Sequence, residues 1–231
     1  MDSCPTLHLG LRRTMVLFLL SLSVPIAAPA NVIISSFGPG NGYDLNGGLS
    51  ISTIGSANRY ETATAVSFTP SSTYTLSQID LALGYVSGTN SFVVKLVNDN
   101  SGPVGSLIET WVFSAPTFLQ ADLNTLAPVT SIVLNGGDSY WIVVLPGGSD
   151  TWGAWNHPSP DTFVGELAGS RDGGSTWYPP VVGVGPAYDV VGNLSTPEPA
   201  SSVPVGVALV ALAIGRRLWM RRSKACNRFL A

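Results

Sequence analysis

The sequence predicts an all-β fold, a β-sandwich or jelly roll, from three observations. Short runs alternate apolar and polar residues, turn clusters separate them, and no stretch carries a convincing helical periodicity. A period of two puts every second side chain on one face, which is what a half-buried strand requires. Charged residues make up 11% of the chain, against about 25% in ordinary soluble proteins. Gly (25) and Pro (17) are plentiful, and that mixture suits many short strands joined by turns.

Along the chain the alternating runs are Thr62 to Thr69 (TATAVSFT), Thr75 to Gly84 (TLSQIDLALG), Ser91 to Val97 (SFVVKLV), Leu107 to Phe113 (LIETWVF) and Tyr140 to Leu145 (YWIVVL). Turn clusters fall around and between them, at Gly38 to Gly42, Val86 to Asn90, Asn98 to Pro103, Asn135 to Asp138 and Pro146 to Asp150. Trp111 and Trp141 sit inside alternating runs and are expected in the core. Repeated short strands with such turns indicate two packed sheets.

The two ends read as addresses. Arg12 and Arg13 precede the apolar stretch Met15 to Val24, which is followed by Pro25 and the small-residue run Ile26-Ala27-Ala28-Pro29-Ala30. This is the order of a secretory signal peptide, with Ala28 and Ala30 at the two small positions of an A-x-A cleavage site. It predicts passage through the Sec translocon and removal by signal peptidase, leaving Asn31 as the mature N-terminus. The apolar core of ten residues is too short to span a bilayer, which takes about 20. At the other end Thr196-Pro197-Glu198-Pro199 leads into the apolar run Val203 to Ile214 and then Arg216, Arg217, Arg221 and Arg222. With Arg216 and Arg217 snorkelling, Val203 to Met220 gives 18 residues, just enough for one transmembrane helix. The basic flank stays cytoplasmic by the positive-inside rule, so the domain between the ends lies outside.

The Pro197-Glu198-Pro199 motif, the short apolar run and the arginines occur in the order of the PEP-CTERM sorting signal of bacteria, and the tail resembles that family. The resemblance implies recognition and cleavage near the motif by an exosortase, a membrane-embedded cysteine transpeptidase. The apolar run is uninterrupted for only twelve residues, and the chain continues past the arginines to Ala231. The chain thus divides into a signal peptide (1–30), a β-sandwich ectodomain (31–194) and a sorting tail (195–231).

From Asn58 onward, the succession "FTPSSTYTLSQIDLALGYVSGTNSFVVKLVNDNSGPVGSLIETW", "GGDSYWIVV", "DTWGAWN" and "SRDGGSTW" is similar to the choice-of-anchor ectodomains, type R in particular. Together the two resemblances imply a non-catalytic bacterial surface or matrix protein associated with exopolysaccharide. It would be held in the inner membrane by its C-terminal helix and then reach the cell surface or the extracellular space.

Eight of the eleven basic residues lie in the terminal segments. Residues 31–195 hold Arg59, Lys95 and Arg171 against twelve acids, so 3 minus 12 gives −9, which makes nucleic acid an improbable partner. Cys4 and Cys226 are both terminal, so the central region has neither a disulfide nor a cysteine ligand.

Few residue sets offer chemistry. Ser170-Arg171-Asp172-Gly173-Gly174-Ser175-Thr176-Trp177 fits the Asp-box pattern S-x-D-x-G-x-T-W and resembles the turns of sialidases and other secreted β-proteins. That resemblance makes Ser170, Asp172, Gly174 and Trp177 a structural turn, with Asp172 accepting from the amides that Gly173 and Gly174 leave unshielded. A single copy does not make a propeller. Trp152, Trp155, Trp177 and Tyr178 cluster in Gly- and Pro-rich sequence. Two readings meet there: rings that fill the core, or a platform for a pyranose face with Trp152, Trp155 and Asn156 as the candidate glycan contacts.

His157 is the only histidine outside the signal segment, so no Ser-His-Asp triad and no multi-histidine metal site is expected. Asp99, Asn100 and Asp138 sit in Gly-containing turns where calcium or ordinary Asx-turn bonding would use their oxygens, and the turn reading is preferred. The expectation is a protein with no enzymatic activity, no cofactor and no metal. The alternatives are a carbohydrate-binding module or a glycan-active hydrolase, the latter needing two carboxylates that converge on an aromatic-lined cleft.

Overall fold

The computed structural model describes residues 30–120, 122–160 and 163–195. The signal segment with Ala28, the motif Pro197-Glu198-Pro199, the membrane helix and Arg216, Arg217, Arg221 and Arg222 lie outside them. The first seven strands are β1 (Asn31–Ser35), β2 (Tyr43–Ser52), β3 (Ala63–Phe68), β4 (Tyr74–Leu81), β5 (Leu83–Ser87), β6 (Phe92–Asn98) and β7 (Leu107–Phe113). Then come β8 (Asn124–Leu126), β9 (Val133–Leu134), β10 (Tyr140–Pro146), β11 (Trp152–Pro158), β12 (Val164–Ser170), β13 (Val181–Val184) and β14 (Tyr188–Leu194). No helix of the described residues is long and apolar enough to cross a membrane.

One layer of the sandwich is a six-stranded sheet in the order β13-β12-β3-β10-β6-β7. Facing it are a five-stranded sheet, β1-β14-β4-β8 with β9 also on β4, and a three-stranded sheet, β2-β11-β5. The two smaller sheets meet at a seam of backbone bonds: Ala82 N–H to Ala187 O (3.1 Å), Asn156 N–H to Ala82 O (2.8 Å) and Ala187 N–H to Asn156 O (2.7 Å). This seam explains one difference from the sequence reading. Thr75 to Gly84 reads as one strand, yet it breaks at Ala82, because the backbone there leaves one sheet and joins the next.

Alternation decides what is buried. On β6, Phe92, Val94 and Leu96 point into the core, and on β10 so do Tyr140, Ile142 and Val144, all at 3% exposure or less. They meet Ile79, Leu81, Trp155, Tyr188 and Val190 of the opposing layer in one continuous cluster. The intervening residues of the six-stranded sheet face outward, where Ala65, Val97, Trp141, Val143 and Ala168 form a second, smaller apolar cluster capped by Leu145 and Trp177. Trp111 and Trp141 are buried as the alternation predicts, with Trp111 in the main core and Trp141 in the outer cluster.

Strand β2 does not stand out in the sequence because Gly47 and Gly48 interrupt its apolar pattern. Its backbone runs so close to β11 that a Cβ at Gly48 would lie 2.6 Å from Trp155 O. Only glycine permits this approach.

Candidate functional site

The proposed glycan contacts all lie on β11, and the strand separates them. Positions 152 and 155 differ by an odd number, so their rings leave opposite faces of the strand. Trp155 points inward and is fully buried. Its Nε1–H donates to Ala187 O (3.0 Å), and its ring meets Tyr188 edge-on at 6.3 Å. Of the two readings for this ring, core filling holds, and Trp155 is not a glycan contact. Asn156 is also enclosed, 3% exposed, and its Nδ2 donates to Asp44 O (2.7 Å) and Gly47 O (3.3 Å), so that it ties β2 to β11 instead of facing a ligand. Trp152 alone of the three stays half-exposed, pairing with Ser52 and Ser87 across the small sheet.

The Asp-box segment forms the turn that its pattern suggests, with one change of partners. Ser170, the last residue of β12, donates from its hydroxyl to Asp172 Oδ1 (2.8 Å) and accepts from Gly174 N–H (2.9 Å). Asp172 accepts from Thr176 N–H (2.8 Å) and from Thr176 Oγ1 (2.6 Å). The amides of Gly173 and Gly174 are therefore not its donors. These glycines serve the backbone, at φ +68° and +86°, a region closed to most other residues. The Thr176 hydroxyl and amide, with the Ser170 hydroxyl, hold the Asp172 carboxyl below the usual carboxylate range. Trp177 leaves this turn half-buried and lies against the outer apolar cluster.

Of the turn carboxylates considered for calcium, Asp99 Oδ1 accepts from Trp141 Nε1 (2.7 Å) and Gly102 N–H (3.0 Å). Asp138 Oδ2 accepts from Asn135 Nδ2 (3.1 Å). Both line an open polar cleft of about 780 Å³ with Asn98, Thr130, Ser131 and Asn135. The Trp141 indole, more than the Gly102 and Ser101 amides, holds the Asp99 carboxyl low. Asp150, in the turn before β11, accepts from Thr89 N–H (2.9 Å) and binds one loop to the next. Among the described residues, no three His, Cys, Asp or Glu side chains come together as a metal would need. His157 pairs its Nδ1 with Gly185 O at 3.3 Å.

Two carboxylates do face each other, and the sequence reading missed them. On the outer face of the five-stranded sheet the register sets Ser35 opposite Asp189, Asp189 opposite Asp80, and Asp80 opposite Thr125. Asp80 accepts from Thr125 Oγ1 (2.6 Å) and Gln78 Nε2 (2.7 Å). Asp189 is 6% exposed, and its Oδ1 has no hydrogen-bond partner among the described residues. Burial, and next the charge of Asp80, push its carboxyl above the usual range against an opposing hydrogen bond from Ser35.

A second arrangement missed in the sequence is a groove of about 170 Å³ on the outer face of the six-stranded sheet, lined by Lys95, Val97, Pro103, Leu107, Leu145 and Trp177 among others. Its walls come from segments 82 residues apart in the chain, and it is legible only once β6 and β10 are paired. No family model matches the chain, and no curated protein does.

Proposed function

We propose that this chain is an exported bacterial cell-surface or matrix protein, delivered by a signal peptide and processed at a PEP-CTERM tail by an exosortase. Its ectodomain is a non-catalytic β-sandwich of jelly-roll type associated with exopolysaccharide. One observation carries the reading. Strand β1 begins at Asn31, directly after the A-x-A site, and β14 ends at Leu194, two residues before Thr196-Pro197-Glu198-Pro199. Both addresses can therefore be removed without taking a strand from either layer. The two strands are neighbours, with Asn31 opposite Gly192, so the chain enters and leaves the domain at the same end of one sheet. A domain tethered there presents its far end away from the membrane.

The test is cell fractionation with whole-cell protease shaving in the native host. Domain peptides are expected from intact cells and from the matrix fraction. Replacing Pro197, Glu198 and Pro199 together by Ala is expected to leave the protein in the membrane fraction. Domain confined to the cytoplasm, or a triple variant released like the parent, would refute the reading.

A further inference from the structure

We propose that the groove on the outer face of the six-stranded sheet binds an acidic sugar unit, a uronic-acid residue of a polysaccharide. Trp177 supplies the ring on which the pyranose stacks, and Lys95 supplies the cation that meets its carboxylate. This deepens the matrix-association reading and rests on it for the source of the sugar.

The indole nitrogens separate the tryptophans by role. Trp111, Trp141 and Trp155 donate to Ala127 O, Asp99 Oδ1 and Ala187 O respectively. Trp152 and Trp177 are both half-exposed with no indole hydrogen bond among the described residues, and of the two it is Trp177 that lines the groove. The ring is also held in place beforehand. The Asp172 bonds to Thr176 fix the residue immediately before it, and one side of the ring rests on the outer apolar cluster. A preset aromatic loses little freedom on binding.

Lys95 is the charge that the groove leaves unexplained. It is one of three bases against twelve acids in residues 31–195, yet it makes no ion pair or hydrogen bond among the described residues. Its cross-strand neighbours are Val143 and Thr110, so it stands on the outer face of the sheet, and its side chain lines the groove. The volume of about 170 Å³ suits a single ring and is below the 300 Å³ or so of drug-sized pockets. A ring face, an N–H donor and a lone ammonium around one such space select a carboxylated pyranose over a neutral one. The domain's negative charge opposes an acidic polymer at long range, but physiological salt screens this beyond about 8 Å.

The experiment titrates the full chain in detergent with oligogalacturonate and with a cello-oligosaccharide of equal length, following tryptophan fluorescence and heat. The uronate oligomer is expected to bind and to perturb the fluorescence, while the neutral one binds at least tenfold more weakly. Lys95→Gln is expected to weaken uronate binding about tenfold with an unchanged melting temperature, and Lys95→Arg to retain it. Trp177→Ala is expected to abolish binding; where that variant does not fold, the Lys95 pair carries the test. Uronate affinity unchanged in Lys95→Gln overturns the site. Equal binding of the two oligomers, or binding of neither, also overturns it, while the matrix association is decided separately by the fractionation of the native host.

Discussion

Trp155→Ala is expected to cost about 3–5 kcal/mol, the range for emptying a buried aromatic site. The ring is fully buried, meets Tyr188 edge-on, and spends its N–H on Ala187 O at the seam between the two smaller sheets. Removal leaves a cavity and strips that carbonyl of its indole donor. At roughly 2–4 °C per kcal/mol for a domain of this size, the melting temperature is expected to fall by about 6–20 °C. Trp152→Ala, on the opposite face of the same strand, is the control and should shift the midpoint far less. Thermal and urea unfolding of both variants checks this, and a Trp155→Ala protein that melts with the parent would contradict the core assignment.

Asp189→Asn is expected to stabilise the domain at neutral pH by about 1–3 kcal/mol, the penalty range for a buried polar atom left without a partner. Like charges directly opposite on paired strands also repel, and an amide carries no charge opposite Asp80 and can donate a hydrogen bond to its carboxylate. The folded carboxyl holds its proton more tightly than the unfolded one. Its contribution is therefore complete below the ordinary value of 3.8 and is lost as pH rises through the higher folded-state value. Asp99, Asp150 and Asp172 run the other way: their carboxyls are held low, and their contributions are lost as pH falls below 3.8. The parent should thus lose stability on both sides of a mildly acidic optimum, and Asp189→Asn should remove the decline on the alkaline side. Unfolding free energies measured from pH 3 to 8 test this. An unchanged slope above pH 4 would remove Asp189 as its source.

Local pattern was enough for much of the fold. Ser91 to Val97 and Tyr140 to Leu145 are short, β-branched and aromatic-rich runs bounded by turn clusters, and they become β6 and β10 within a residue or so at each end. Strand β2 was hidden because its glycines answer a demand of the neighbouring strand, which no local pattern records. The same limit governs the sites. The Asp-box turn was readable because its donors and acceptors lie within seven residues of one another. The Asp80–Asp189 row and the Lys95–Trp177 groove join residues more than 80 positions apart, and only strand pairing brings them together. The choice between core and platform for Trp155, by contrast, was open to local reasoning. Its odd spacing from Trp152 already puts the two rings on opposite faces of any strand that holds both.

On the proposed reading, both ends of the chain are removed on the way to the cell surface. Intact mass spectrometry of the surface-released protein from the native host is then expected to find a species that begins at Asn31 and lacks Arg216 to Ala231. A released protein that retains Met1 to Ala30 or the arginine-rich tail would contradict it.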